Sequence, residues 1–419
     1  MEDFHSAEDY TELGIEAQEE GDYEAAKTYF EQALAMNIQE LGKDSSLLPI
    51  DYSNLATALL GLGDAEEAQS LLERAIAING KHFSKGHPTF ADLYGNLALA
   101  LHDLGDYDEA KRLLETTIAI EEKHFGKDYP NLATSYNSLA LVLQNLGDYK
   151  KAQSLLKKAI AINEKHFGTD DPKVATNYEN LAMVLSDIGN HKQAKTLIEK
   201  AIAINEAYFE DDHPTVLNNY ANLATILGDL GEDKEARDIL QRVIAIEEES
   251  LGLDHPDLAT NYSNLATILQ NLGELDKAKS LLLRTIAIEE AHFGTDHPTL
   301  ATSYGNLAAV FIDLTNYDQA QVFLRKAIAI EEEHSDDDES DLAVSYFKLA
   351  SLLEVSDKHD EAYSFLMKAA AIKEADFEKD NEALTGIYTV LAEVLESMGK
   401  SDEAKAYLQK VSFLSRSKK

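Results

Sequence analysis

The chain contains 419 residues, no cysteine, and 37 basic against 76 acidic side chains, which gives a formal net charge of −39. A surface this acidic argues against broad contact with nucleic acid backbones or anionic lipid headgroups, so no nucleic acid or membrane partner is expected. The lack of cysteine excludes disulfides, thiolate nucleophiles and iron–sulfur ligation, whereas 44% apolar residues suffice for a packed core.

The N-terminal residues 1–10 lack both the basic and the apolar region of a secretory signal. No later stretch of the sequence stays apolar for the length of a membrane span. The sequence therefore predicts a cytoplasmic protein.

An internal repeat of 42 residues runs through the chain. Ten of the nineteen tyrosines fall in one register without insertion or deletion, namely Tyr10, Tyr52, Tyr94, Tyr136, Tyr178, Tyr220, Tyr262, Tyr304, Tyr346 and Tyr388. A leucine three residues after each tyrosine and an alanine column from Ala26 to Ala404 keep the same spacing. Ten such periods account for nearly the whole sequence, so they leave no room for a separate domain.

Each period predicts two helices. In residues 256–291, apolar side chains recur at spacings of three and four, with Leu265 in the core. Pro256 suits the first turn of the first helix, and Gly273 suits the left-handed conformation that ends it. The second helix follows from about Asp276. Since one hairpin cannot bury both apolar faces, about ten hairpins are expected to stack into an all-α solenoid.

The repeat carries the pattern Tyr-x-x-Leu-Ala-x-x-Leu-x-x-x-Gly, followed by a second alanine twelve residues after the first. This pattern resembles the tetratricopeptide repeat (TPR). The 42-residue spacing, the Asn-Leu-Ala segment and Phe-Gly-Thr-Asp-His-Pro at 293–298 resemble the kinesin light chain subclass. The resemblance implies a right-handed superhelix whose first helices line a concave groove.

The regularity of the repeats predicts three segments. Residues 1–333 form about eight regular repeats, residues 334–414 form two degenerate repeats and a cap, and residues 415–419 form a basic tail. Towards the C-terminal end, Thr315 and Asp357 replace the turn glycine. Terminal repeats of a solenoid often deviate in this way because one face meets water instead of a neighbour.

The two helices of a repeat differ in charge. Residues 131–146 contain no charged side chain, while the second helices and linkers carry most of the Glu and Lys. One register of the first helix, the asparagine register, holds Asn54, Asn96, Asn180, Asn222, Asn264 and Asn306, with Ser138 in the remaining middle repeat. Its same-face neighbours include Asn218, Thr225, Asp229, Thr260, Thr267 and Asn271.

Carboxamides offer the donors and acceptors that a peptide backbone requires, so this set is a candidate peptide-binding surface. The alternative is that each asparagine bonds a neighbouring helix within the solenoid. Only Lys348 places a base in the asparagine register, which argues against capture of an acidic C-terminal tail in the groove. Acids end several first helices, namely Asp103, Asp187, Asp229 and Asp313. Unless they are simply solvated, they favour a neutral to basic peptide.

Histidines recur near the end of the second helix and before the linker proline, as in His292 and His297. We expect them to order the turn, and we expect no metal. The acidic run at 336–339 lacks the spaced ligands and central glycine of a calcium loop, so a solvated loop is expected.

No phosphate-binding glycine loop or catalytic triad departs from the repeat pattern, so neither catalysis nor a cofactor is expected. The sequence therefore favours a protein or peptide-binding scaffold that recognises an extended or helical segment. Two alternatives remain open: a peptide-responsive regulatory sensor, and a structural spacer that self-associates weakly through the ends of the array.

Overall fold

A computed structural model describes residues 6–334, 340–375 and 381–417. Within these ranges all regular secondary structure is helical. In chain order the helices are α1 (Ala7–Glu19), α2 (Tyr23–Leu41), α3 (Leu48–Gly61), α4 (Ala65–His82), α5 (Thr89–Asp103), α6 (Tyr107–Phe125), α7 (Asn131–Asn145), α8 (Tyr149–Phe167), α9 (Pro172–Asp187), α10 (His191–Asn205), α11 (Pro214–Asp229), α12 (Asp233–Leu251), α13 (Leu258–Asn271), α14 (Leu275–Phe293), α15 (Thr299–Asp313), α16 (Tyr317–His334), α17 (Ser340–Val355), α18 (His359–Ala375), α19 (Asn381–Ser397) and α20 (Ser401–Ser417).

Short turns join the two helices of each hairpin. In the hairpin of α7 and α8, Gly147 takes a positive φ, and the amide of Asp148 donates to the carbonyl of Leu143 at 2.8 Å. The Asp148 side chain then accepts from the Lys151 amide, which satisfies one of the free N–H groups at the start of α8. The 42-residue pattern thus encodes both the end of one helix and the start of the next.

Alanines bring the helices of each hairpin into close contact. Every alanine of the column that begins at Ala26 and ends at Ala404 is fully buried. Tyr262 and Leu265 are 1% and 5% exposed and fill the space beside them. Small side chains let helix axes approach, and large ones fill the remaining volume. The predicted all-α solenoid is confirmed.

The chain forms two compact units, Met1–Ile226 and Leu227–Lys419, and the boundary lies within α11. In both units second helices pack on the first helix of the next hairpin, as α2 does on α3 and α12 on α13. First helices of successive hairpins also contact one another, as α3 does with α5 and α13 with α15. First helices therefore lie side by side within each unit.

Two local details differ from the sequence prediction or extend it. Pro256 lies before the first turn of α13, whose N-cap is Asp257, whereas Pro172 and Pro214 do begin α9 and α11. A turn in which the amide of Ala259 donates to the carbonyl of Pro256 delays the start of α13.

The acidic run at 336–339 lies outside the described residues, as do the last two residues of the basic tail. The division into regular and degenerate repeats stays a prediction.

Candidate functional site

The first-helix face is the surface formed by the asparagine register and its same-face neighbours. All six asparagines of the register are half-buried, and so is Thr225. The remaining predicted site residues are exposed, namely Asn218, Asp229, Thr260, Thr267 and Asn271. The register thus forms the floor of this surface and its neighbours form the rim.

Three of the six asparagines bond to the preceding first helix. Each donates its side-chain N–H to a residue 43 positions earlier: Asn96 to Ser53 at 2.9 Å, Asn180 to Asn137 at 2.8 Å, and Asn222 to Glu179 at 2.8 Å. For these three side chains the geometry matches the alternative given above, because their amide donors connect neighbouring first helices. Part of the candidate peptide-binding surface is therefore hydrogen-bonded within the solenoid.

Glu179 of α9 accepts hydrogen bonds from two asparagine side chains of this face. Its Oε1 accepts from both Asn222 and Asn218, the latter at 3.2 Å. Burial raises the pKa of this carboxyl, while the hydrogen bond from Asn222 opposes the rise. Two predicted site residues are thus held together by an acid that the sequence analysis did not single out.

The other three asparagines of the register, Asn54, Asn264 and Asn306, form no side-chain hydrogen bond within the described residues. The hydroxyls of Thr225 and Thr267 donate to backbone carbonyls of their own helices. The first-helix face therefore retains free carboxamides in both units.

The rim of this face is already hydrogen-bonded at several positions. Asn271 donates to Asp233 at 3.1 Å. Two of the acids that end first helices accept from glutamines 43 residues earlier, Asp187 from Gln144 at 2.6 Å and Asp313 from Gln270 at 2.5 Å. These exposed acids are thus tied to the neighbouring first helix.

A cleft opens on the first-helix face of the first unit. It has a volume of about 470 Å³ and is lined by α3, α5, α6 and α7, with Asn54, Asn96 and Ser138 in its wall. The missing side chain of Gly95 leaves part of this cleft open, since a Cβ added there would meet no described atom within 4 Å. The carboxylates of Asp92 and Glu121 also line the cleft.

Glu121 is the most buried charge of this cleft, at 3% exposed. Ser135 donates to its Oε2 at 2.8 Å, and no donor within the described residues reaches its Oε1. Burial raises the pKa of Glu121; the bond from Ser135 opposes the rise and the charge of Asp92 adds to it. Two neighbouring carboxylates in a partly dry cleft favour a cationic group.

Glu121 belongs to a register that was not singled out from the sequence. Half-buried acids recur there and pair with a residue fourteen positions later, as Glu247 does with Asn261 and Glu331 with Ser345. The signal was present, because these acids follow the apolar run Ile-Ala-Ile at the 42-residue spacing. In the sequence alone, these acids look like the polar edge of an amphipathic helix. Only the stacking of the neighbouring hairpin covers them.

The recurring histidines bond within the repeats. Near the ends of second helices, Nε2 of His82 and of His292 lies 2.8 and 3.0 Å from the backbone carbonyls of Asp44 and Asp254. In the linker, Nδ1 of His297 accepts from the amide of Thr299. Within the described ranges no group of three or more His, Asp and Glu side chains could hold a metal ion.

Stacked helical hairpins with a polar, charge-poor first-helix face define a helical repeat protein of the solenoid type. Models of the tetratricopeptide repeat match residues 8–81, 89–165, 173–249, 257–333 and 385–412, with a further match at 53–119. The chain belongs to the tetratricopeptide repeat family, as its sequence pattern predicts.

Three solved structures are similar to this chain to different extents. A kinesin light chain from Podosopora anserina with nearly identical TPR-like repeats is 29% identical, covers 49% of this chain and 97% of its own, and has a TM-score of 0.43. The apo quorum sensor NprR from B. thuringiensis is 17% identical over 90% of this chain and 99% of its own, with a TM-score of 0.57. A Rap protein complexed with Competence and Sporulation Factor is 15% identical over 88% and 98%, with a TM-score of 0.58.

A search of the curated proteins gives no match. Membership of the TPR family identifies the chain as a protein-interaction scaffold, of a fold whose members are typically binding proteins rather than enzymes. In the part of the chain that the structure describes, no helix combines the length and apolar character needed to cross a membrane.

Proposed function

We propose that this chain binds an extended or helical peptide segment on its first-helix face. The observation that carries the proposal is the set of half-buried, unpartnered carboxamides at Asn54, Asn264 and Asn306. A carboxamide that is partly removed from water without a partner loses hydrogen bonds that a ligand can restore. The three bonded asparagines of the register brace the helices that present these free ones.

A peptide backbone suits this face better than a charged group does. It alternates N–H and C=O groups, and each carboxamide can both donate to it and accept from it. Recognition of the backbone also tolerates varied peptide sequences, so side-chain selectivity comes from the clefts beside the register.

The cleft around Gly95 selects a neutral to basic segment. Its two carboxylates, Asp92 and Glu121, would pair with a lysine or arginine side chain of the ligand. The net charge of −39 also steers basic partners towards the surface, and added salt screens that attraction. Peptide affinity should therefore fall as ionic strength rises.

Selection of peptides from a random dodecapeptide library tests the proposal. We expect enriched peptides to bind the wild-type chain and to lose at least tenfold in affinity to the triple variant Asn54→Ala, Asn264→Ala, Asn306→Ala. Thr196→Ala on α10 provides the control, since Thr196 is exposed on a second helix. Equal affinity of all three proteins would refute binding on the first-helix face.

The selectivity of the cleft has its own test. Asp92→Asn keeps the size of the side chain and removes one charge, so it should weaken binding of lysine-containing peptides and leave neutral ones unchanged. A uniform change for both kinds of peptide would contradict the role of the carboxylate.

Self-association through the C-terminal end is a second candidate function. On α20, Phe413 is 68% exposed and Leu408 is 47% exposed. Large exposed apolar side chains on a terminal helix favour contact with another copy of the chain. Light scattering over a range of concentrations should show dimers that Phe413→Ser abolishes; a constant monomer mass would exclude this function.

A further inference from the structure

Seven hairpin junctions share one hydrogen bond. The hydroxyl of the repeated tyrosine donates to a glutamate fourteen residues earlier, at the end of the preceding second helix or just after it. The pairs are Tyr136 with Glu122, Tyr178 with Glu164, Tyr220 with Glu206, Tyr262 with Glu248, Tyr304 with Glu290, Tyr346 with Glu332 and Tyr388 with Glu374. The bond satisfies a hydroxyl that packing otherwise removes from water.

A base completes most of these junctions. It stands 22 residues after the tyrosine and lies over the tyrosine ring, as Lys158 does at 5.1 Å and Arg284 at 4.8 Å from the ring centroid. Arg284 also donates to Glu248 at 3.1 Å. We name the tyrosine, the glutamate and this base the junction triad. Its carboxylate sits between a hydroxyl donor and a positive charge.

The junction of Tyr94 lacks two of the three groups. The glutamate position is occupied by Gly80 and the base position by Thr116. Tyr94 is only 8% exposed, yet no partner for its hydroxyl exists among the described residues. At Tyr52 the glutamate is also missing, but there Ile38 stands in its position and carries a side chain.

A cavity occupies the place of the missing glutamate. It has a volume of about 590 Å³, and Gly80, Tyr94 and Arg112 are among its lining residues. A Cβ added to Gly80 would meet no atom of the described residues within 4 Å, so this space is open. Part of the wall is apolar and includes Leu97 and Leu113.

Arg112 supplies a positive charge at this junction, although it does not occupy the base position of the junction triad. Arg112 lies one turn before Thr116 on α6, and its charge offsets part of the rise that burial causes in the pKa of Tyr94. Lys81 and Lys85 also line the cavity, together with the acids Glu73 and Glu109. Glu109 forms an ion pair with Arg112, which leaves the remaining guanidinium donors for a ligand.

We propose that the Tyr94 cavity is a binding site for a carboxylate-bearing ligand, whose carboxylate takes the position that glutamate occupies in the other junction triads. The Tyr94 hydroxyl donates to it, Lys85 and the remaining guanidinium donors of Arg112 offset its charge, and the apolar part of the wall holds the adjoining hydrocarbon part. This site lies between α4, α5 and α6 and includes none of the candidate peptide-binding residues predicted from the sequence. It is therefore independent of the peptide-binding function proposed above.

Two carboxylate sources fit this chemistry, the C-terminus of a chain and an acidic side chain. N-acetyl-leucine represents the first and N-acetyl-glutamate α-amide the second, while N-acetyl-leucine amide carries no charge. Each is titrated into the full chain with tyrosine rings labelled with ¹³C at Cζ. The resonance that disappears in Tyr94→Phe identifies Tyr94.

We expect the Tyr94 resonance to shift saturably with at least one of the two carboxylates and to stay unchanged with the amide. The resonance of Tyr136, whose hydroxyl already has Glu122, should not move. The responding compound identifies the source of the carboxylate. No response to either carboxylate, or an equal response to the amide, would overturn the proposal.

Restoring the missing side chain gives a second test. Gly80→Glu should re-form the triad bond to Tyr94, raise Tm and weaken carboxylate binding at least tenfold. Gly80→Ala is the matched control, because it adds only a Cβ into open space and improves helix propensity. Binding should then stay within twofold of the wild type. If Gly80→Glu folds and binds the probe as the wild type does, the carboxylate does not occupy this position.

Discussion

Replacing Asn222 and Asn306 singly by alanine distinguishes bracing asparagines from ligand-binding ones. Asn222 donates to Oε1 of Glu179 at 2.8 Å, and within the described residues only Asn218, at 3.2 Å, also bonds that atom. A hydrogen bond to a charged group contributes about 1.5–3 kcal/mol, and its loss leaves a half-buried carboxylate less well solvated. Asn222→Ala should therefore lower the free energy of unfolding by about that amount.

Asn306→Ala removes a side chain with no partner among the described residues. Its effect on the free energy of unfolding should stay within about 0.5 kcal/mol, because no hydrogen bond is lost and alanine is the better helix former. Urea unfolding followed by circular dichroism measures both variants, and equal m-values are needed for the comparison. Equal destabilisation of the two would show that the division of the register into bonded and free asparagines is wrong.

The core, a turn and a buried acid give three further predictions. Leu265→Ala should cost about 2–5 kcal/mol, since Leu265 is 5% exposed, and an unchanged Tm would place this side chain outside the core. Thr315→Gly should raise stability by about 1 kcal/mol in thermal unfolding, because Thr315 has a φ of 56° and a β-branched side chain is strained there. A lower Tm would instead show a stabilising role for the threonine. Burial raises the pKa of Glu289, so the folded chain holds this proton more tightly than the unfolded chain does. Stability therefore falls as pH rises between the two pKa values. Glu289→Gln should therefore raise Tm at pH 7, with the gain disappearing as pH falls below the unfolded-state pKa of about 4.3; a gain that is independent of pH would exclude this cause.

The fold and the faces of its helices followed from the sequence because both rest on spacing. A 42-residue period fixes where each helix ends, and the alanine column fixes which side is packed, as the full burial of Ala26 and Ala404 shows. The start of α13 did not follow, since a turn involving Pro256 and Ala259 competes with helical conformation there. Such local competition depends on geometry that composition does not record.

The sequence by itself determined that this chain is a solenoid of helical hairpins with a polar, charge-poor first-helix face, since hydrophobic periodicity and turn residues act locally. Tertiary structure alone decided which polar side chains are free. Asn222 and Asn306 are equivalent in the repeat, yet one meets Glu179 and the other meets no partner in the described chain. The same holds for Tyr94, whose hydroxyl has no partner in the described ranges because Gly80 lies on the preceding second helix, fourteen residues away in sequence. Hydrogen bonding depends on which atoms come within about 3 Å of one another, and only the stacking of one hairpin on the next sets those distances.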